Sequence, residues 1–147
     1  MKKISIFAAL LLLLASCGVK EKEIYVPKDL QGMDLNDPES EYCYERTALT
    51  ENFVIFWEKG FGNDLSAAPE LEGHDMTIDL ENLKEKLETF YDYFYNDLGF
   101  AKKGSKCDRY RMMVMLRYSL EGTAYGGDYD GEIGALWVTP GRLRDER

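Results

Sequence analysis

The chain has 147 residues, of which 45% are hydrophobic and 31% charged, and a formal net charge of −9. That is the balance of one globular domain with a short appendage, and it excludes a disordered chain. An acidic surface repels phosphate backbones, so nucleic acid is excluded as a partner.

Residues 1–16 have the form of a secretory signal: Lys2 and Lys3 precede an apolar run, residues 4–14, that is too short to span a bilayer. Leu14, Ala15, Ser16 and Cys17 then match the bacterial lipobox. The match implies a diacylglyceryl group on the Cys17 thiol, cleavage before it, and acylation of the new amino group. The plainer alternative is an ordinary secretory signal with an incidental cysteine. A lipoprotein with two or three acyl chains is held stably to a membrane, where one chain binds only marginally. The implied location is the cell envelope, at the periplasmic or surface face of the outer membrane. Residues 17–40, rich in Lys, Glu, Asp, Pro and Asn, read as a flexible tether. Their Lys20-Glu21-Lys22-Glu23 run faintly resembles the surface-export signals of Bacteroidetes lipoproteins.

The domain begins near residue 41. Residues 52–58 combine aromatic and β-branched side chains as a strand does, and Gly60, Gly62, Asn63 and Asp64 end it. A polar loop follows, with a short irregular strand expected at 76–78. Residues 79–100 then read as one long helix. Leu80, Leu83, Leu87, Phe90, Tyr91, Phe94 and Leu98 recur at steps of three and four. Asp79 is its N-cap, Ile78 can staple onto Leu83, and Gly99 ends it, with Phe100 placed to touch Tyr95. After a basic loop, residues 110–118 hold the continuous apolar run Met112-Met113-Val114-Met115-Leu116, which suits a strand buried on both faces. Strand, helical crossover and strand make a right-handed parallel βαβ unit. Residues 123–140 form two short strands about the Asp130-Gly131 turn. The fold class is α+β: a small mixed sheet of three to four strands with one long backing helix.

Cys43 and Cys107 are the remaining cysteines. In an oxidising compartment they are candidates for a disulfide, with two separate thiols as the alternative. His74 is the single histidine and reads as a solvated loop residue, because neither a zinc site nor a Ser-His-Asp triad finds its other members. Asp128, Asp130 and Glu132 alternate around Gly131 like the start of a calcium loop, but the distal glutamate of such a loop is missing, which favours a solvated hairpin tip. Among the aromatics Tyr91, Tyr93, Phe94, Tyr95, Trp57 and Trp137, helical spacing points to core packing more than to a glycan platform, with Tyr93 the candidate exposed ring. Gly126 and Gly127 mark an edge or bulged strand where another backbone can approach closely.

Taken together, the segments 51–62, 79–94, 104–116 and 122–140 resemble uncharacterised secreted Bacteroidetes lipoproteins with a zincin-like metallopeptidase domain. The resemblance covers residues 42–147. It implies a strand, a backing helix, further strands and an edge strand on which an extended substrate pairs, here Tyr125, Gly126 and Gly127. The next element in such domains is a helix with H-E-x-x-H, whose histidines bind zinc while the glutamate activates water. This sequence contains no H-E-x-x-H, so no catalytic or metal-binding residue is assigned. Zinc is expected only with a downstream segment carrying that motif. The expectation is a membrane-anchored lipoprotein with a truncated, catalytically incomplete zincin-like domain and an exposed apolar sheet face. The alternative is a complete small lipoprotein that binds a glycan, peptide or protein.

Overall fold

A computed structural model describes residues 21–122 and 124–143. The stretch expected as a secretory signal, residues 1–16, and Cys17 lie outside the described residues. The fold is α+β, a mixed sheet of five strands backed by one long helix. The strands are β1 (Thr47–Leu49), β2 (Phe53–Trp57), β3 (Met112–Leu116), β4 (Ala124–Tyr129) and β5 (Ile133–Val138), in the order β1-β2-β3-β5-β4. The β2-β3 and β3-β5 pairs are parallel, and both edge pairs are antiparallel. Helix α1 (Leu80–Asp92) makes the crossover from β2 to β3, and a four-residue helix α2 (Pro140–Leu143) follows β5. The expected strand at 76–78 does not form, while β1, which the sequence did not signal, adds a fifth strand.

The central strands carry apolar side chains on both faces because both faces are covered. All five β2 residues are at most 4% exposed. Phe53, Ile55 and Trp57 point with Val114, Leu116 and Val138 toward α1, which contributes Leu83, Leu87 and Tyr91. Val54, Phe56, Met113, Met115, Ile133 and Ala135 point the other way. What covers that second face is the chain between Ile24 and Tyr42, with Leu30, Leu35 and Tyr42 buried against it.

The stretch expected as a tether is therefore, over its described part, a layer of the domain. Backbone pairing joins it to the residues just before β3: Glu23 N–H donates to the Arg109 carbonyl and Arg111 N–H to that of Glu23, each at 2.9 Å. Buried Arg46 gathers the carbonyls of Pro38, Ser40 and Glu41. A guanidinium so placed satisfies carbonyls of a segment that has no regular structure to satisfy them.

Asp79 caps α1 as expected, its carboxylate accepting from the Asn82 N–H at 3.0 Å. The far end differs from the expected continuous helix. After Asp92 the chain widens into a π-helical turn, Tyr93–Asp97, with Leu98 N–H reaching back five residues to the Tyr93 carbonyl. Gly99 takes the left-handed conformation at φ 65°, and Phe100 stacks on Phe94 instead of Tyr95, at 5.4 Å and 20°. Leu83, Leu87 and Tyr91 enter the core, while Phe90, Leu98 and Phe100 stay 53%, 47% and 73% exposed. The apolar stripe is wider than the sheet beneath it.

Candidate functional site

Of the two edge strands of the sheet, β4 is the longer, six residues against three in β1. It closes the sheet, pairs on one side with β5, and is exposed at each of its first five positions. An edge strand presents a row of backbone donors and acceptors to whatever lies beside it. The turn behind it fixes the geometry. Asp130 (φ 56°) and Gly131 (φ 66°) hold the positive-φ positions that a tight hairpin requires, and Glu132 N–H closes the turn on the Tyr129 carbonyl at 2.8 Å.

That turn is anchored from outside. The Asp130 carboxylate accepts from the Lys28 N–H and the Tyr25 hydroxyl, both at 2.9 Å. The Lys28 backbone bond, then the Tyr25 bond and the Lys28 charge, hold its carboxyl below the usual carboxylate range. Lys106 donates to the Gly131 carbonyl and the Glu132 carboxylate, both at 2.8 Å. Asp128 accepts from the Gly131 N–H at 3.1 Å. Each acid that could have begun a calcium loop is thus engaged by a different donor. Among the described residues no group of three or more His, Cys, Asp or Glu is arranged to hold a metal ion.

The register places Tyr125, Gly127 and Tyr129 on one face of β4, opposite Trp137, Ala135 and Ile133. Tyr125 stacks on Trp137 at 4.8 Å and 12°, and Tyr129 meets the same indole edge-on at 4.9 Å and 73°. Gly127 lies beneath the indole, and a Cβ there would sit 3.4 Å from the ring. Tyr125 remains 47% exposed, so an aromatic shelf runs along the face of the open edge. Tyr125, Gly126 and Gly127 were expected at such an edge, and the structure brings them together there. Trp137 and Tyr129 are the members that sequence reasoning did not assign. The alternation from the Asp130-Gly131 turn was the signal for them, since residues two and four apart share a face.

The two cysteines are not brought together. Both are free thiols, Cys43 buried and Cys107 partly exposed. The expected disulfide assumed that both precede neighbouring parallel strands. Because β1 intervenes and runs antiparallel to β2, Thr47 pairs with Phe56, so Cys43 lies at the Trp57 end of β2. Cys107 precedes β3, whose start pairs with Phe53 at the opposite end. His74 sits on an exposed loop, its backbone bridged to Leu71.

Two polar clusters flank the ends of the sheet. At the end of β2, Glu58 accepts from the Tyr42 hydroxyl at 3.0 Å and the Tyr118 N–H at 2.6 Å. Burial, then the Glu58 charge, pushes the Tyr42 phenol well above its ordinary value, so it acts as a donor. At the start of β2, Glu88 accepts from the backbone and side chain of Asn52 at 2.8 and 2.6 Å. The Lys22 ammonium lies 4.5 Å over the Tyr91 ring and donates to its hydroxyl at 3.0 Å. Partial burial lowers the Lys22 pKa against the opposing pull of Asp108 and other acids. Both clusters are internally satisfied, as structural networks are.

A family model described as a family of unknown function (DUF6055) matches residues 16–147. No curated protein and no solved structure matches the chain.

Proposed function

The chain belongs to the DUF6055 family, and from that premise we propose that it is a lipid-anchored envelope protein that holds an extended peptide along β4. The observation that carries the reading is the antiparallel edge strand, open along its outer side and flanked by the Tyr125-Trp137 stack. Strand addition takes its affinity from main-chain hydrogen bonds and its selectivity from alternate side chains. Here Gly126 and Gly127 leave the edge clear of side chains, and Tyr125 supplies a surface for every second residue of the guest.

The anchor is the lipid on Cys17, supported by the lipobox match of residues 14–17. Zincin-like ancestry is supported by the element order from β2 onward: strand, backing helix, parallel strand, antiparallel edge strand, second parallel strand. Zinc chemistry enters this reading only through an H-E-x-x-H helix, which this sequence does not contain. Peptide binding is what we assign to the residues described.

The test is a titration of blocked hexapeptides with alternating Val and Thr, read by tryptophan fluorescence, since Trp137 lies under the site. Saturable binding that drops at least about tenfold in Tyr125→Ala, an aromatic contact of about 1.4 kcal/mol, supports the proposal. Binding unaffected by Tyr125→Ala, or a response to oligosaccharides and none to peptides, refutes it.

A further inference from the structure

We propose that the C-terminal end of α1 and the loop after it lie on the membrane that holds the lipid anchor, so that the domain is docked face-down and not merely tethered. The inference rests on the lipid-anchor reading above and adds a protein surface to it. The α1 stripe is the first observation. Phe90 meets Phe94 at 4.2 Å with the rings tilted by 37°, Phe94 stacks on Phe100 at 5.4 Å, and Phe90, Leu98 and Phe100 are exposed. Leaving such a run of aromatic rings in water has a cost that a soluble surface normally avoids.

The second observation is charge. Residues 101–104 carry Lys102 and Lys103 and no acid, in a chain whose net charge is −9. Lys102 and Lys103 are exposed immediately after Phe100. Rings that enter the acyl boundary beside ammonium groups that reach phosphates are the chemistry of an interfacial contact.

The third observation fixes the occupant. The described chain begins at this same end: Lys22 sits over Tyr91, Tyr91 stacks on Tyr95 at 5.0 Å, and Arg111 pairs with Glu21 at 2.9 Å. Cys17 is four residues before Glu21. Four residues span at most about 14 Å, so a lipid on Cys17 holds this end of the domain close to the bilayer.

The test uses the full lipidated chain in phosphatidylethanolamine and phosphatidylglycerol vesicles containing bromolipids. Phe100→Trp places an indole on the patch, and Leu120→Trp places one at an exposed site past the other end of β3. Flotation with the vesicles and several-fold stronger quenching in Phe100→Trp is the expected result. Flotation with equal quenching in the two variants leaves the anchor standing and overturns the docked face, which then belongs to a protein partner. A chain that does not float at all overturns the anchor, and the docked face with it.

Discussion

Leu30→Ala and Leu35→Ala decide whether residues 24–42 are a layer of the domain or a tether. Both leucines are nearly closed to water, at 7% and 6% exposed, and pack in one cluster with Val54, Phe56, Met113 and Met115. Each substitution removes three carbons, which at about 0.8 kcal/mol per methylene is a transfer loss of about 2.4 kcal/mol. A cavity adds to this, and Leu→Ala in cores costs about 2–5 kcal/mol. The covering segment is one chain thick and can settle inward, so the low end applies, about 2–3 kcal/mol for each variant. Urea unfolding followed by tryptophan fluorescence reads the loss, because Trp57 is buried in the neighbouring layer. With a slope of about 1.5 kcal/mol/M, the midpoint falls by about 1.3–2 M. Substitution in a solvated tether stays within about 0.5 kcal/mol, a shift of about 0.3 M. A shift that small in both variants would refute the layer.

Three further outcomes follow from the same contacts. Asp130 has a carboxyl depressed by Lys28 and Tyr25, so its contribution is present above the unfolded-state pKa of about 4 and is lost as pH falls through the folded value. Asp130→Asn should flatten the acid limb of a urea-midpoint profile and speed proteolysis at Lys28; an unchanged acid limb would contradict the linkage. In Gly60→Ala the new Cβ would meet the Tyr118 ring at 2.3 and 2.6 Å, while that ring is pinned by the Pro69 carbonyl at 2.9 Å and by Phe61. We expect a loss of about 1–3 kcal/mol that largely disappears in a Tyr118→Ala background, and a cost that persists there would place the conflict elsewhere. Alkylation of the native protein should label Cys107 quickly and Cys43 only after unfolding, and peptide mapping that recovers the two joined by a disulfide would contradict their separation.

The sequence showed most of the sheet and missed what covers it, for identifiable reasons. Five apolar residues in a row have one good solution, a strand buried on both faces, and both Phe53–Trp57 and Met112–Leu116 are that. Asp130-Gly131 named the hairpin because positive φ at two successive positions is rare elsewhere. Leu30, Leu35 and Tyr42 gave no such signal. They are isolated apolar residues at irregular spacing among charges, and they are buried by turns laid across a sheet, which has no period to detect. The three residues of β1 are too few to alternate, and missing them put Cys43 at the wrong end of β2. At the candidate site, Tyr125, Gly126 and Gly127 were visible as an edge. The role of Trp137 depended on strand register, which a one-residue slip would have inverted.

Hydrogen exchange across the two sheet edges, with and without bound hexapeptide, tests the account most directly. β4 and β1 are both edges, but only β4 carries the glycine pair and the aromatic shelf. The account predicts that amides of β4 facing away from β5 become protected by the peptide while those of β1 do not change. Protection along β1, or none along β4 at saturating peptide, would contradict it.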